Sequence, residues 1–315
     1  MRERLRRVGN WFRERWLETV MSLGLLGVLA WYGMVGYSFL PKPPPTPPPT
    51  RFGGLAAYAY VLAQMEFGPR PTGSEANRKL GDYIIEQLRA TGWEVFEQPF
   101  TYRGVNGRNI IGRAGAGPLI LIGAHYDTRR RADNDPDPAK RTEPVPGAND
   151  GASGTAVLLE LARSLNKTRL QNEVWLVFFD AEDNGRLDGW DFIVGSRYMA
   201  QNLTTLPKAV IIVDMVGDAD QQIYKERNSS AALQDKLWEI AAGLGYEQYF
   251  IPEYKWAMTD DHTPFLQRGV AAVDIIDFDY PYWHTTQDTK DKLAPLSLER
   301  VGRVVQTYLE GEAIK

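Results

Sequence analysis

A histidine and a carboxylate two residues apart, placed where an apolar run ends, are the first residues in this chain that could do chemistry. Residues 118–124 read PLILIGA, the composition of a short buried strand, and they run directly into His125-Tyr126-Asp127. Strand side chains alternate between faces, so His125 and Asp127 share a side. An imidazole with a carboxylate at that spacing is a metal ligand with the acceptor that fixes its tautomer. An isolated His-x-Asp is equally a polar strand end, and the residues further along decide between the two. Asp150 stands at the start of a helical segment. Asp180, Glu182 and Asp183 follow the apolar run 173–179, Asp214 falls in the run 209–215, and His284 lies in the loop after 270–276.

His125, Asp150, Asp183, Asp214 and His284 make a donor set of two imidazoles and three carboxylates, which suits zinc. The chain has no cysteine. That excludes disulfides, a thiol nucleophile and any Cys-ligated metal. Five donors exceed the need of one tetrahedral ion with an open position. They fit two ions sharing a bridging carboxylate, or one ion with some donors idle. Glu182, beside Asp183, can serve as general acid or base while its neighbour binds metal. Taken alone, 180–183 reads as well as an acidic loop capping a helix.

The elements that must position these residues follow from periodicity. Helices are expected at 54–67, 75–91, 151–165, 196–202, 231–244 and 296–309, and strands at 94–101, 109–113, 118–124, 173–179, 209–215 and 270–276. Strands alternating with helices predict an α/β fold with a mainly parallel, mixed central sheet covered on both faces. In such sheets ligands bind outside the carboxyl ends of the strands. Every candidate donor falls at that edge, and this agreement weighs more than any one motif.

The first fifty residues have a different character. Residues 1–18 hold six Arg against three Glu, a local excess of +3, which leaves −7 on the rest of a chain whose net charge is −4. The acidic body argues against a nucleic-acid partner. Residues 19–40 carry no charge, and 22 residues suffice to span a hydrocarbon core of roughly 30 Å. The arginines before the span predict a single-pass anchor with a cytoplasmic N-terminus and the remainder outside the cell membrane. The competing expectation is a cleaved signal peptide, with a shorter apolar region and a small-residue cleavage site. Residues 41–50, PKPPPTPPPT, predict a semi-rigid polyproline stalk. The domain carrying the candidate site is then 51–315. Its loop 129–146 holds Asp133, Asn134, Asp135 and Asp137 but lacks the glycine and terminal Glu of a calcium loop, and is expected to be solvated.

The segments GPRPTGS, GAHYDT, GANDGASG, FFDAED, VDMVGD, DDHTPF and YWHTTQDT, spread in order over residues 51–315, together resemble the M28 family of zinc aminopeptidases and the glutaminyl cyclases that share their fold. The resemblance implies one zinc held by Asp150, Asp183 and His284. It implies a second site, where used, at His125, Asp214 and the bridging Asp150. Glu182 would be the acid/base residue, with Asp127 supporting His125. It further implies a cis peptide at Asp150–Gly151. The pair Glu182-Asp183 departs from the Glu-Glu of many members.

The resemblance leaves two reactions at peptide N-termini: hydrolysis of the first peptide bond, or cyclisation of N-terminal glutamine to pyroglutamate with release of ammonia. Asp260-Asp261-His262, Trp283 just before His284, and the run 189–200 with Trp190 are similar to the cyclases. They imply Asp260, paired with Asp214, in proton transfer and Trp190 and Trp283 as substrate walls. GANDGASG is shared with the peptidases. The expectation is a cyclase with one tightly bound zinc, with the aminopeptidase as the alternative. A binding domain without activity is disfavoured because all five donors are present.

Overall fold

The computed structural model describes residues 51–311 together with Trp16, Val20 and Met21. The basic segment, the candidate span at 19–40 and the proline-rich segment lie outside the described residues but for those three. Among the described residues no helix is long and apolar enough to cross a membrane.

A six-stranded sheet organises the domain. Its strands are β1 (Glu94–Tyr102), β2 (Val105–Ala114), β3 (Leu119–His125), β4 (Glu173–Phe179), β5 (Ala209–Asp214) and β8 (Ala272–Ile276), in the order β1-β2-β4-β3-β5-β8. β4, β3, β5 and β8 are mutually parallel, whereas the β1–β2 hairpin adds antiparallel strands at one edge. The hairpin turns through Arg103 and Gly104, both at positive φ, the geometry a two-residue primed turn requires. The parallel strands are apolar along their length because both faces are covered. Ile120, Ile122 and Ala124 of β3 face a core shared with α1 (Gly54–Met65), α2 (Glu75–Ala90), α3 (Ala152–Ser164), α5 (Ala231–Gly243) and α7 (Pro295–Glu310). Leu121 faces the opposite core, closed by α4 (Val194–Asn202) and α6 (Thr263–Gln267).

The expected elements are present with ends moved by a few residues. The 151–165 helix begins one residue later, and the 196–202 helix two residues earlier. A parallel pair outside the main sheet, β6 (Ile223–Lys225) with β7 (Phe250–Tyr254), was not anticipated. Three and five residues are too few to carry a period, and β7 is mostly exposed. Local chemistry explains other ends. Ser74 caps α2 by accepting from the Asn77 amide. In α3, Gly154 lies so close to β5 that a Cβ there would sit 2.1 Å from the Val213 carbonyl oxygen. This approach seats α3 directly on the sheet.

After β3 the chain goes through α3 to β4 on one side, then through α4 back across to β5 on the other. The strand order therefore reverses at β3, and the crevice at such a reversal is where doubly wound sheets bind ligands.

Candidate metal centre

β3 ends on His125, α3 is preceded by Asp150, β4 leads into Asp183, β5 ends on Asp214, and the loop after β8 carries His284. All five are buried and meet above the strand ends. His125 Nε2 lies 3.1 Å from Asp150 Oδ1 and 3.2 Å from Asp214 Oδ1. His284 Nε2 lies 2.8 Å from Asp183 Oδ1 and 3.7 Å from Asp150 Oδ2. Two tripods thus share Asp150, one of its oxygens facing each. In each tripod the donor atoms lie within 4.8 Å of one another.

The residues fit a metal on three counts. The donor set is the N/O type that zinc takes. Asp150 Oδ2 and Asp183 Oδ2 are buried without any hydrogen-bond partner, which is costly unless a cation satisfies them. The site is also short of positive charge. Burial foremost, with their mutual repulsion, pushes Glu182, Asp183 and Asp214 above the ordinary carboxylate range, and Asp260 up to about 7. His125 is pushed well up despite its burial, chiefly by Asp214.

Each donor is held from behind. Asp127 Oδ1 accepts from the Glu182 amide at 3.0 Å, and Oδ2 from the Asp183 amide at 3.3 Å and from Thr72 Oγ1 at 3.1 Å. Its distance to His125 Nδ1 is 3.7 Å. Asp127 therefore positions the Glu182-Asp183 backbone as closely as it backs the histidine. Asp288 was not singled out in the sequence, although it lies in the YWHTTQDT segment. Its Oδ1 accepts from the Asn149 amide at 2.8 Å and the Tyr280 hydroxyl at 2.8 Å, and its Oδ2 from the Asp150 amide at 3.2 Å. Arg129, also unforeseen, is buried, donates to the Asp183 and Gly185 carbonyls, and is held by Asp133.

Three expectations are amended. The Asp150–Gly151 peptide is trans, and the chain turns there through Gly151 at φ 94 instead. A Cβ at 151 would meet the Asp127 carbonyl at 2.8 Å and the His125 ring at 2.9 Å. Trp190 does not line the cavity over the donors. The turn in which the Arg186 amide donates to the Trp190 carbonyl, with Arg186, Asp188 and Ile193 all at positive φ, directs the indole toward the β1–β2 hairpin. There it packs with Phe100 and Val194, edge-on to Tyr102, with the Arg130 guanidinium 4.6 Å from its centroid. Phe192 stands among the cavity walls in its stead. Lastly, the loop 129–146 is not wholly solvated. Asp135 is buried and accepts from the Thr286 amide and hydroxyl at 2.9 and 2.6 Å, tying this loop to the one that bears His284.

The cavity above the donors has a volume of about 260 Å³. Its floor is acidic, with Asp150, Glu182, Asp183, Asp214 and Asp260. Its walls include Phe192, Met215, Met258, Phe278 and Trp283. Trp283 stacks on His284 with centroids 3.7 Å apart and planes at 26°. Glu182, Asp260 and Trp283 are thus brought together with the donors as the sequence anticipated.

Comparison with known proteins accords with this geometry. Among curated relatives, the mouse glutaminyl-peptide cyclotransferase-like protein is 28% identical over 282 residues, covering 76% of this chain and 71% of its own. Among solved structures, the glutaminyl cyclase of Porphyromonas gingivalis is 35% identical with a TM-score of 0.79, covering 84% of this chain and all of that one. A leucine aminopeptidase precursor from Bacteroides thetaiotaomicron is 34% identical, also with a TM-score of 0.79, covering 84% of this chain and 99% of its own. The family model for peptidase family M28 matches residues 109–309, which take in all five donors and Glu182. On that match, the chain belongs to peptidase family M28.

Proposed function

We propose that this protein is a zinc-dependent glutaminyl cyclase, converting the N-terminal glutamine of peptides to pyroglutamate. The observation that carries this reading is the stacking of Trp283 on His284. It sets a flat aromatic wall against the donor cluster, in a cavity sized for one residue. A planar side-chain amide fits such a slot and displaces the water that hydrolysis would need. Overall likeness does not separate the readings, because the cyclase and the aminopeptidase precursor are equally similar to the chain.

Asp150, Asp183 and His284 would hold the tightly bound zinc, and a second ion would use His125, Asp214 and Asp150. Zinc bound there supplies Lewis-acid polarisation of the amide carbonyl. The acidic floor favours the ammonium of a peptide N-terminus. The ammonium gives up one proton to solvent, and as the resulting α-amine attacks the side-chain carbonyl carbon Glu182 takes a second proton from its nitrogen. The new C–N bond closes the five-membered ring as the bond to the amide nitrogen breaks. Glu182 returns the proton to the departing nitrogen, which leaves as ammonia. Its raised pKa suits both halves of the transfer. Asp260 and Asp214 both line the cavity and are both pushed upward, so with one zinc bound and Asp214 free of a second ion they would share a proton and relay charge beside Glu182.

Mass spectrometry of Gln- and Leu-initiated peptides after incubation with zinc-loaded protein tests the reading. Loss of ammonia from Gln peptides with intact Leu peptides is expected. Release of free leucine with Gln peptides unchanged would establish the aminopeptidase alternative.

The sequence of residues 1–50 further supports a membrane tether, with the catalytic domain outside the cytoplasm. Protease added to intact, wall-stripped cells should release a domain beginning near Arg51. Full protection of that domain would dismiss the arrangement.

A further inference from the structure

We propose that Arg186 selects peptides bearing a carboxylate just beyond the N-terminal residue, either an acidic second or third side chain or the free carboxyl of a short peptide. The inference rests on the reading that a peptide N-terminus occupies the cavity over the donors. Five carboxylates line that cavity, and besides His284 the one basic residue lining it is Arg186. Arg186 is exposed while the acids are buried, so it belongs to the rim and not to the floor.

Its neighbours sharpen the point. Arg129 is paired with Asp133, and Arg130 and Arg131 both approach Asp188. Among the described residues, no carboxylate lies within ion-pair distance of Arg186. A cation left without an acidic partner beside a site of strong negative potential is poised for an anion delivered by the ligand.

The backbone at this position is fixed. Arg186 has φ 64, a region sparsely populated by residues with side chains and found where surrounding structure over-determines the conformation. Its amide is bonded to the Trp190 carbonyl. On its other side, the Phe192 ring packs so tightly on Gly185 that a Cβ there would lie 2.1 Å from the ring. Trp190 is in turn covered by the Arg130 guanidinium. The loop thus presents Arg186 from a set position.

Cavity size places the peptide. At about 260 Å³ the space lies just below the usual range of roughly 300–1,000 Å³ for small-molecule sites. It accommodates the first residue, with its ammonium on the acidic floor. The second and third residues must then cross the rim, where Arg186 stands.

The test measures binding first, so that it does not depend on which reaction the enzyme performs. Zinc-loaded Glu182→Gln protein, impaired in turnover, is titrated calorimetrically with C-terminally amidated Gln-Glu-Ala, Gln-Gln-Ala and Gln-Lys-Ala, and with Gln-Ala having a free or an amidated carboxyl. The acidic tripeptide should bind about three- to tenfold more tightly than the neutral one, the scale of a partly exposed charge-assisted pair. The lysine peptide should bind more weakly than either. The preference should shrink as salt is raised to about 0.5 M. Arg186→Gln should abolish the preference, Arg186→Glu should reverse it, and Arg186→Lys should restore part of it. Equal binding of the three peptides, or a preference that survives Arg186→Gln, overturns the proposal. The two dipeptides tell the main-chain carboxyl from the side-chain one. Zinc content verifies that each variant is folded, and if the reversal variant fails that check, the Gln and Lys variants carry the result. The same ratios are then read in turnover by wild-type enzyme, with Gln-initiated and Leu-initiated series side by side. Failure of cyclisation with an acidic preference intact in the Leu series would refute the cyclase reading and leave the role of Arg186 standing.

Discussion

Replacing Asp288 with alanine removes a single acceptor that holds three buried or half-buried donors: the amides of Asn149 and Asp150 and the Tyr280 hydroxyl. Each donor left without a partner costs about 1–3 kcal/mol. The space vacated by the carboxylate admits water, so the low end applies, and a loss on the order of 3 kcal/mol of stability is expected. The second effect is on the metal. Asp150 is the one donor common to both tripods, and its backbone amide is bonded directly to Asp288. Loss of such a supporting group typically weakens metal binding about 10- to 100-fold, or roughly 1.4–2.7 kcal/mol. Chelator competition would give zinc affinity, and urea unfolding of apo and zinc-loaded protein would give the two stabilities. The gap between loaded and apo stability should be smaller in Asp288→Ala than in wild type. A variant that loses stability yet holds zinc as tightly as wild type would refute the claim that Asp288 sets the bridging ligand. Unchanged values of both would mean the three hydrogen bonds contribute nothing.

Three other outcomes are expected. Glu182→Gln should retain near-normal zinc content while turnover falls by about 10²-fold or more, whereas parallel loss of metal and turnover would make Glu182 a ligand. Asp260→Ala should depress cyclisation of Gln peptides without releasing zinc, because Asp260 belongs to neither tripod, and unchanged cyclisation would remove it from the proton path. Asp277, which belongs to neither tripod and does not line the cavity, is pushed up to about 7, chiefly by burial and also by the charge of Asp218. Its folded value lies above the unfolded value of about 3.9, so the native state holds the proton more tightly. The stabilisation is full below about pH 4 and is lost as pH rises through about 7, an effect on the order of 4 kcal/mol. Asp277→Asn should flatten unfolding stability across that window, and an unaltered slope would contradict the assignment.

The candidate donors were legible in the sequence because each is of a metal-binding type and each stands beside a run that announces a strand or a helix start. Short continuous apolar runs such as Leu119–Ala124, too short for a helix and preceded by glycine and proline, announce a strand buried on both faces. Residues whose roles depend on distant backbone were not legible. Asp288 lies within a segment noted for His284, yet its partners are amides 138 and 139 positions away. Trp190 shows the converse failure. The similarity of the run 189–200 to the cyclases implied a cavity wall, but between Ala181 and Ile193 four residues other than glycine adopt positive φ. No propensity predicts such a path, because surrounding contacts impose it: Arg129 on the Asp183 and Gly185 carbonyls, and Arg130 across the indole. The same path put Phe192 and Arg186 at the cavity. The short pair β6–β7 escaped notice because its stability comes from neighbours and not from its own pattern.

The bare α-carbon of Gly154 has a consequence for how this centre can diverge. Asp150 lies one helical turn before Gly154, and Asp214 directly follows Val213, whose carbonyl oxygen is 2.1 Å from where a Cβ would stand. The separation between the bridging carboxylate and Asp214 is therefore set by how closely a helix settles on a strand, a rigid-body parameter independent of every ligand. A methyl group at 154 would lift α3 like a shim and draw Asp150 away from both tripods at once, since Asp214 and His125 sit on strands and Asp183 and His284 on loops that stay in place. Weakening of the metal centre on this scaffold can thus proceed by adjusting a seam, with the whole complement of donors left in the sequence. An inventory of ligands alone would overlook such a change.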